Sequence, residues 1–271
     1  MTSNQFEISQ INIFPIKSLA GFSQQLAQLT DRGLQYDRRW MLVDEAGKFL
    51  SQREHPQLAL LHVEMHEDYL LVTQQRKPRG SIEIPLVASG VASQTVSIWN
   101  DHCLACSVSS EIDRWFSAAL RMPCRLVFMP EPTQRLVDAD YRTADQIVSF
   151  ADGFPYLIIG QASLDDLNQR LAEPVSMRRF RTNFVFSGEP PFIEDQWQKI
   201  RMGTVVFRVA KPCPRCTMTT VDPDTGVKEI EPLKTLASYR KDESGGVMFG
   251  QNLLHETIGE VAVGMQIEVL E

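Results

Sequence analysis

Short runs that alternate apolar and polar residues, each closed by a turn signal, limit this chain to a fold built largely of strands. Phe6-Glu7-Ile8-Ser9-Gln10-Ile11-Asn12-Ile13 alternates from its first residue. Arg39 to Val43 and Lys48 to Ser51 flank the turn Asp44-Glu45-Ala46-Gly47, and Leu60 to Met65 and Tyr69 to Thr73 flank the polar tip His66-Glu67-Asp68. Ile82 to Ile84 and Thr95 to Trp99 continue the pattern. Many short strands at this spacing predict a small barrel or sandwich. The first helix is expected at Glu111 to Leu120, opened by Ser110 with Asp113. The second half is mixed. Pro155 to Gly160 reads as a buried strand, and Ser163 with Asp166 opens a helix to about Leu171. Asn183 to Ser187, Gln198 to Met202, Val205 to Val209, Val261 to Val263 and Gln266 to Leu270 read as strands. The fold class expected is mostly β with α/β elements, divided near Met122-Pro123 into residues 1–122 and 123–271.

The segment richest in chemistry is Lys211-Pro212-Cys213-Pro214-Arg215-Cys216-Thr217-Met218-Thr219-Thr220-Val221, followed by the turn Asp222-Pro223-Asp224-Thr225-Gly226. A thiolate is a soft ligand for a thiophilic metal, and an arginine beside a cysteine favours its charged form. The threonine hydroxyls are candidate donors to an anion held near that sulfur. The β-branched residues after Cys216 favour extended backbone. Cys103 and Cys106 form a second Cys-x-x-Cys pair. Together the pairs allow a four-cysteine zinc site, although Cys106 and Cys213 stand much further apart than the roughly 15–20 residues of a zinc ribbon. A redox dithiol at Cys213 and Cys216 is a further alternative.

The chain has 271 residues, a formal net charge of -7 and a pI near 5.4. Phosphate-backbone binding needs a basic face, so nucleic acid is excluded as a partner. Local basic clusters nevertheless occur: Lys17 with Ser18, Arg38 with Arg39, and Arg178, Arg179 and Arg181 before Asn183. Several such clusters and a thiolate segment in an acidic chain argue for a buried anionic ligand. Asp152 lies just before a predicted buried strand, as a turn aspartate or a functional acid. Glu194-Asp195 is expected in a solvated loop, the four tryptophans in the core, and the five histidines outside any metal-ligand spacing. The start of the chain lacks a signal peptide, no run is long enough to cross a membrane, and the five cysteines do not suggest a disulfide scaffold. A cytoplasmic protein without a membrane partner is expected.

These motifs resemble the MOSC proteins, and most closely the bacterial hydroxylaminopurine reductases and the mitochondrial amidoxime-reducing component. The matching runs are Phe14-Pro15-Ile16-Lys17-Ser18, Asp37-Arg38-Arg39-Trp40-Met41, Phe150 to Tyr156, Ala162 to Asn168, Phe180-Arg181-Thr182-Asn183, Lys211 to Gly226 and Phe249-Gly250-Gln251-Asn252. The resemblance implies an N-terminal MOSC-associated β-barrel followed by the MOSC β-barrel, with a molybdenum cofactor (molybdopterin) in the cleft between them. It implies that Cys216 ligates molybdenum and that Lys17, Ser18, Arg38, Ser163, Arg181, Asn183 and Arg215 contact the pterin or its phosphate. Thr182 departs from the proline that many relatives carry there.

The activity implied is molybdenum-dependent reduction of small N-hydroxylated compounds such as hydroxylaminopurines and amidoximes, with Asp152 the candidate for proton delivery. No cysteine follows Cys216, so no internal iron–sulfur cluster is expected. Electrons are expected from a separate flavin, haem or iron–sulfur protein. The alternatives are a cofactor- or sulfur-carrying protein and a non-enzymatic zinc protein. MOSC-containing sulfurases carry a fused pyridoxal-phosphate domain, for which this chain has no room.

Overall fold

Alternation turns into a closed ring of strands in the larger of two strand assemblies. The computed structural model describes residues 6–74, 80–87 and 93–271. In the eight-stranded sheet the order is Phe184–Ser187, Tyr156–Gly160, Met248–His255, Val205–Pro214, Lys199–Met202, Gln266–Val269, Phe6–Ile13 and Phe22–Gln24. Phe6–Ile13 also pairs antiparallel with Phe184–Ser187, which closes the ring. The pairing of Tyr156–Gly160 with Phe184–Ser187 is parallel. A register shift between Ile8 and Gln10 bends the closing strand, as curvature of a barrel wall requires. The alternating face of Phe6–Ile13 supplies Phe6, Ile8, Ile11 and Ile13 to a core with Tyr156, Phe184, Phe186, Trp197 and Phe207. Burying each such side chain contributes about 1.5–3 kcal/mol. The first strand of the chain thus belongs to the barrel of its second half.

Most of the rest of the first half builds a four-stranded sheet, ordered Trp40–Val43, Arg125–Phe128, Asp101–Ser107 and Ser93–Ile98, and a three-stranded one, Leu61–Met65, Tyr69–Gln74 and Ser81–Pro85, while Leu26–Thr30 pairs with Glu260–Ala262 and Gly33–Leu34. Helix Ser110–Leu120 buries Ile112, Phe116 and Leu120 against both. Its cap is Ser109, one residue before the expected one, whose hydroxyl accepts from Ile112 N at 3.2 Å. The second helix runs Gln161–Arg170, so Ser163 lies inside it rather than at its start. After Cys216 the chain turns into a 3-10 helix at Thr217–Thr220 instead of staying extended. The threonine hydroxyls turn inward there: Thr219 Oγ1 donates to Cys216 O at 3.0 Å and Thr220 Oγ1 to Thr217 O at 2.8 Å. Side chain-to-backbone bonds of this kind override the β preference of the residue type.

Backbone bonds hold the connecting segment Phe14–Ala20 between the two assemblies. Lys17 N donates to Trp40 O at 2.8 Å, Arg38 N to Phe14 O at 2.9 Å, and Phe150 N to Arg38 O at 2.9 Å. Those three contacts bring Lys17, Arg38 and the approach to Asp152 into one place.

Candidate active site

A cavity of about 140 Å³ is lined by Lys17, Ser18, Arg38, Asp152, Arg181, Asn183, Cys213, Arg215 and Cys216, among others. It gathers every sequence-predicted site residue except Ser163. Ser163 is fully buried elsewhere, where its hydroxyl donates to Glu194 at 2.9 Å and accepts from Phe192 N at 2.8 Å. Glu194 itself is buried, not solvated as expected, and burial pushes its carboxyl up. A larger cavity of about 300 Å³ shares Arg181 and holds Arg178 and Arg179, but no cysteine. The chemistry therefore centres on the smaller one.

Of the arginine cluster, only Arg181 reaches the cysteine cavity. Arg178 pairs with Asp224 at 2.8 Å, and buried Arg179 binds Asp222 at 2.9 Å and Glu229 at 2.8 Å. Arg179 therefore ties down the Asp222–Gly226 turn, whose Asp222 carboxylate accepts from Asp224 N and Thr225 N. Arg38 is the hub on the other side. Its guanidinium pairs with buried Asp37 at 2.5 Å, donates to Asn183 Oδ1 at 3.2 Å and Arg181 O at 3.1 Å, and lies 4.5 Å from the Phe14 ring. Arg181 donates to Leu19 O. Burial, with the charge of Arg38, pulls Arg181 down to about 9, so its guanidinium remains charged at neutral pH.

Lys17 is 5% exposed and donates to Phe150 O at 2.7 Å and Asp152 Oδ1 at 2.6 Å. Burial pulls its ammonium down to about 8 against the raising effect of Asp152. For Asp152, crowding by neighbours works against its charge, but the Lys17 charge and hydrogen bond, with Arg53 and the Trp99 indole, outweigh it. The carboxyl stays well below its usual range, although its side chain is 55% exposed. A carboxylate so held anchors cations and is a poor proton donor, contrary to the expected role.

Three residues of the cavity, Ser18 at φ 69°, Arg38 at φ 51° and Arg181 at φ 54°, lie in the left-handed region. That conformation costs a residue with a Cβ roughly 1–2 kcal/mol. Its concentration here marks a place where the chain is bent to aim side chains. Ser18 Oγ and Arg215 Nε are buried with no hydrogen-bond partner. Orphaned donors beside three cationic side chains fit an anionic group that would complete them.

The sulfurs differ from the sequence expectation. Arg215 Nη1 donates to Cys213 Sγ at 3.0 Å and its Nη2 to Phe180 O at 2.7 Å, so it serves Cys213 rather than Cys216. The cation at exposed Cys216 is Arg53, whose Nη1 lies 3.4 Å from Sγ. Arg53 comes from the first half of the chain and was not expected from sequence. Among the described residues, no group of three or more His, Cys, Asp and Glu converges to hold a metal ion, so the four cysteines do not assemble into a zinc site. An exposed sulfur beside cationic side chains fits an anionic group that brings ligands of its own.

Residues 5–123 match the MOSC N-terminal beta barrel domain, and residues 145–268 match the MOSC domain. The chain belongs to the MOSC family. Its fold is accordingly the expected pair, an N-terminal MOSC barrel domain and a C-terminal MOSC barrel. This MOSC chain is 34% identical to the mitochondrial amidoxime-reducing component 1 of Mus musculus, over 97% of its own length and 82% of that protein. Against the Homo sapiens protein of the same name the identity is 31%, with the same coverage. It is 32% identical to the molybdenum cofactor sulfurase of Oryza sativa subsp. japonica, over 95% of its own length but 33% of that protein. The cytoplasmic expectation is corrected by these relatives, because the amidoxime-reducing components are named as mitochondrial. A cysteine count that suggests no disulfide scaffold does not distinguish the cytoplasm from other compartments.

Proposed function

We propose that this MOSC chain is a molybdenum cofactor-dependent reductase of small N-hydroxylated compounds, supplied with electrons by a separate redox protein. The observation that carries the reading is the exposed Cys216 thiol in one cavity with Lys17, Ser18, Arg38, Arg181 and Arg215. Cys216 holds the metal, while Lys17, Arg38, Arg181 and Arg215 offer charge-assisted donors to the pterin phosphate. Ser18 Oγ gains the partner it lacks, and Asn183 fixes the Arg38 fork. The cofactor supplies the two-electron chemistry that breaks the N–O bond. Asp152 holds Lys17 in place and keeps it charged. Net reduction of R–NHOH consumes two electrons and two protons and yields R–NH2 and water. The test is hydroxylaminopurine or benzamidoxime reduction by the cofactor-loaded protein. Turnover is expected with a chemical reductant or redox partner, and none with NAD(P)H alone. Full loading without turnover under any reductant would instead favour a sulfur or cofactor carrier, as the relation to sulfurases suggests.

Cofactor binding should weaken in mildly alkaline solution. Lys17 loses its proton near pH 8 in the folded protein, below its ordinary 10.5. Between these values the unfolded chain binds more protons, so burying Lys17 costs stability below pH 8 and the cost is relieved as pH rises toward 10.5. The positive charge offered to a phosphate disappears over the same window. Pterin retained after gel filtration at a series of pH values should fall above about pH 8 in the native protein. In Lys17→Gln it should be lower throughout and lack that step.

A further inference from the structure

Trp99 is 51% exposed, whereas Trp40 and Trp197 are buried at 0% and 5%. It occupies the first position of a two-residue turn between Ser93–Ile98 and Asp101–Ser107, at φ 55°. Glycine or asparagine normally fills a left-handed turn position, and Asn100 stands next to it. A bulky aromatic there is strained and exposed, the reverse of what core packing selects.

The ring is nevertheless held firmly. Its Nε1 donates to Asp152 Oδ1 at 3.2 Å, and Phe49 meets it edge to face at 5.2 Å. The Arg53 guanidinium lies 4.1 Å from the indole centroid, and its Nη1 lies 3.4 Å from Cys216 Sγ. One guanidinium therefore touches both the indole and the sulfur assigned to the metal. The indole N–H is already satisfied, so what Trp99 offers outward is an oriented π surface. Such a surface recognises flat, conjugated ligands and gives little to small aliphatic ones.

We propose that Trp99, backed by Arg53, is the platform on which the planar ring of an aromatic or heterocyclic N-hydroxylated substrate stacks, and that it sets preference for such substrates over aliphatic ones. This inference rests on the reductase reading above. With Arg53 over one face of the indole, the substrate ring takes the other, beside Asp152, which the indole N–H contacts and which lines the cysteine cavity. Arg53 is thus a positioning residue for the indole as well as a neighbour of the sulfur.

The experiment compares 6-N-hydroxylaminopurine with acetamidoxime as substrates of cofactor-loaded wild-type, Trp99→Phe and Trp99→Ala proteins, using a chemical reductant. Loss of one base–aromatic stack should raise KM for the purine about tenfold in Trp99→Ala, so that its kcat/KM relative to acetamidoxime falls by a similar factor. Trp99→Phe should recover most of that ratio, because it keeps a ring and loses only the indole N–H. Equal losses in the two variants, or equal effects on both substrates, would overturn the proposal by assigning Trp99 to support of Asp152. An effect seen with a protein electron donor but absent with the chemical reductant would overturn it in favour of a docking surface for the donor. Quenching of tryptophan fluorescence by adenine, the expected product, gives a readout independent of turnover. It should be present in wild type and lost in Trp99→Phe. Quenching by adenine without reduction of either substrate would leave the platform standing and remove the reductase reading instead.

Discussion

Cys216→Ala protein, made in a host that synthesises the cofactor, is expected to retain little molybdenum and to lose reductase activity by more than roughly 100-fold. Even a supporting partner outside the ligand set commonly costs 10–100-fold at a metal site, and Cys216 is assigned as the ligand itself. Cys213→Ala is the informative companion. Cys213 lines the same cavity, yet its sulfur already accepts from Arg215 Nη1 at 3.0 Å. Cys213→Ala should keep substantial metal and activity and shift only the position of Arg215. Metal content and turnover of the two variants decide the matter. Equal loss in both would point to a dithiol site and away from a single-thiolate ligand.

The second large effect is expected at Arg38. Asp37 is a buried carboxylate whose side chain is 1% exposed, and Arg38 pairs with it at 2.5 Å. Removing the cation leaves that charge with the Phe14 N–H, which donates to its other oxygen at 2.8 Å, and the charge of Arg181, which makes no hydrogen bond to it. Breaking a buried ion pair from one side costs about 3–5 kcal/mol. Arg38→Ala also removes the donors to Asn183 Oδ1 and Arg181 O, which link the two halves of the chain around the cavity. We expect a Tm lower by roughly 10 °C in cofactor-free protein. Once loading is attempted below that Tm, cofactor occupancy should be strongly reduced. A thermal scan of Arg38→Ala beside the double variant Arg38→Ala/Asp37→Asn separates the two consequences. The double variant should recover much of the stability, because no charge is left buried alone, but not the occupancy. Unchanged stability in Arg38→Ala would show that Asp37 finds another partner.

Much of the fold was legible because strand alternation reports directly on burial. Phe6–Ile13 shows its inward face in the sequence, and the turn at Asp222 to Gly226 follows from residue types alone. Barrel closure was not legible, since it depends on pairing Phe6–Ile13 with Phe184–Ser187, far away along the chain. The site was read through charged residues close to the cysteines or carried in family motifs. That named Lys17, Ser18, Arg38, Arg181, Asn183, Arg215 and Cys216, which the structure brings together around one cavity. It placed Ser163 wrongly beside them, because the serine hydroxyl is committed to Glu194 inside the fold. It also paired Arg215 with the nearer sulfur in sequence order, where the side chain reaches Cys213 instead. Arg53 and Trp99 were missed for a different reason. Neither sits near a cysteine in sequence, and only tertiary structure brings the loop after Leu50 and the hairpin tip at Trp99 to Cys216. One signal was available: Trp99-Asn100 between two alternating runs is a two-residue turn, where a core tryptophan has no place.

In the proposed reading this cavity holds a molybdenum cofactor through Cys216. Metal and pterin analysis of the purified protein, from a host that makes the cofactor, tests it most directly. Molybdenum and pterin in equal amounts, both lost together in Cys216→Ala and retained in Cys213→Ala, is the predicted result. Stoichiometric zinc without pterin, or labile sulfur without molybdenum, would contradict it.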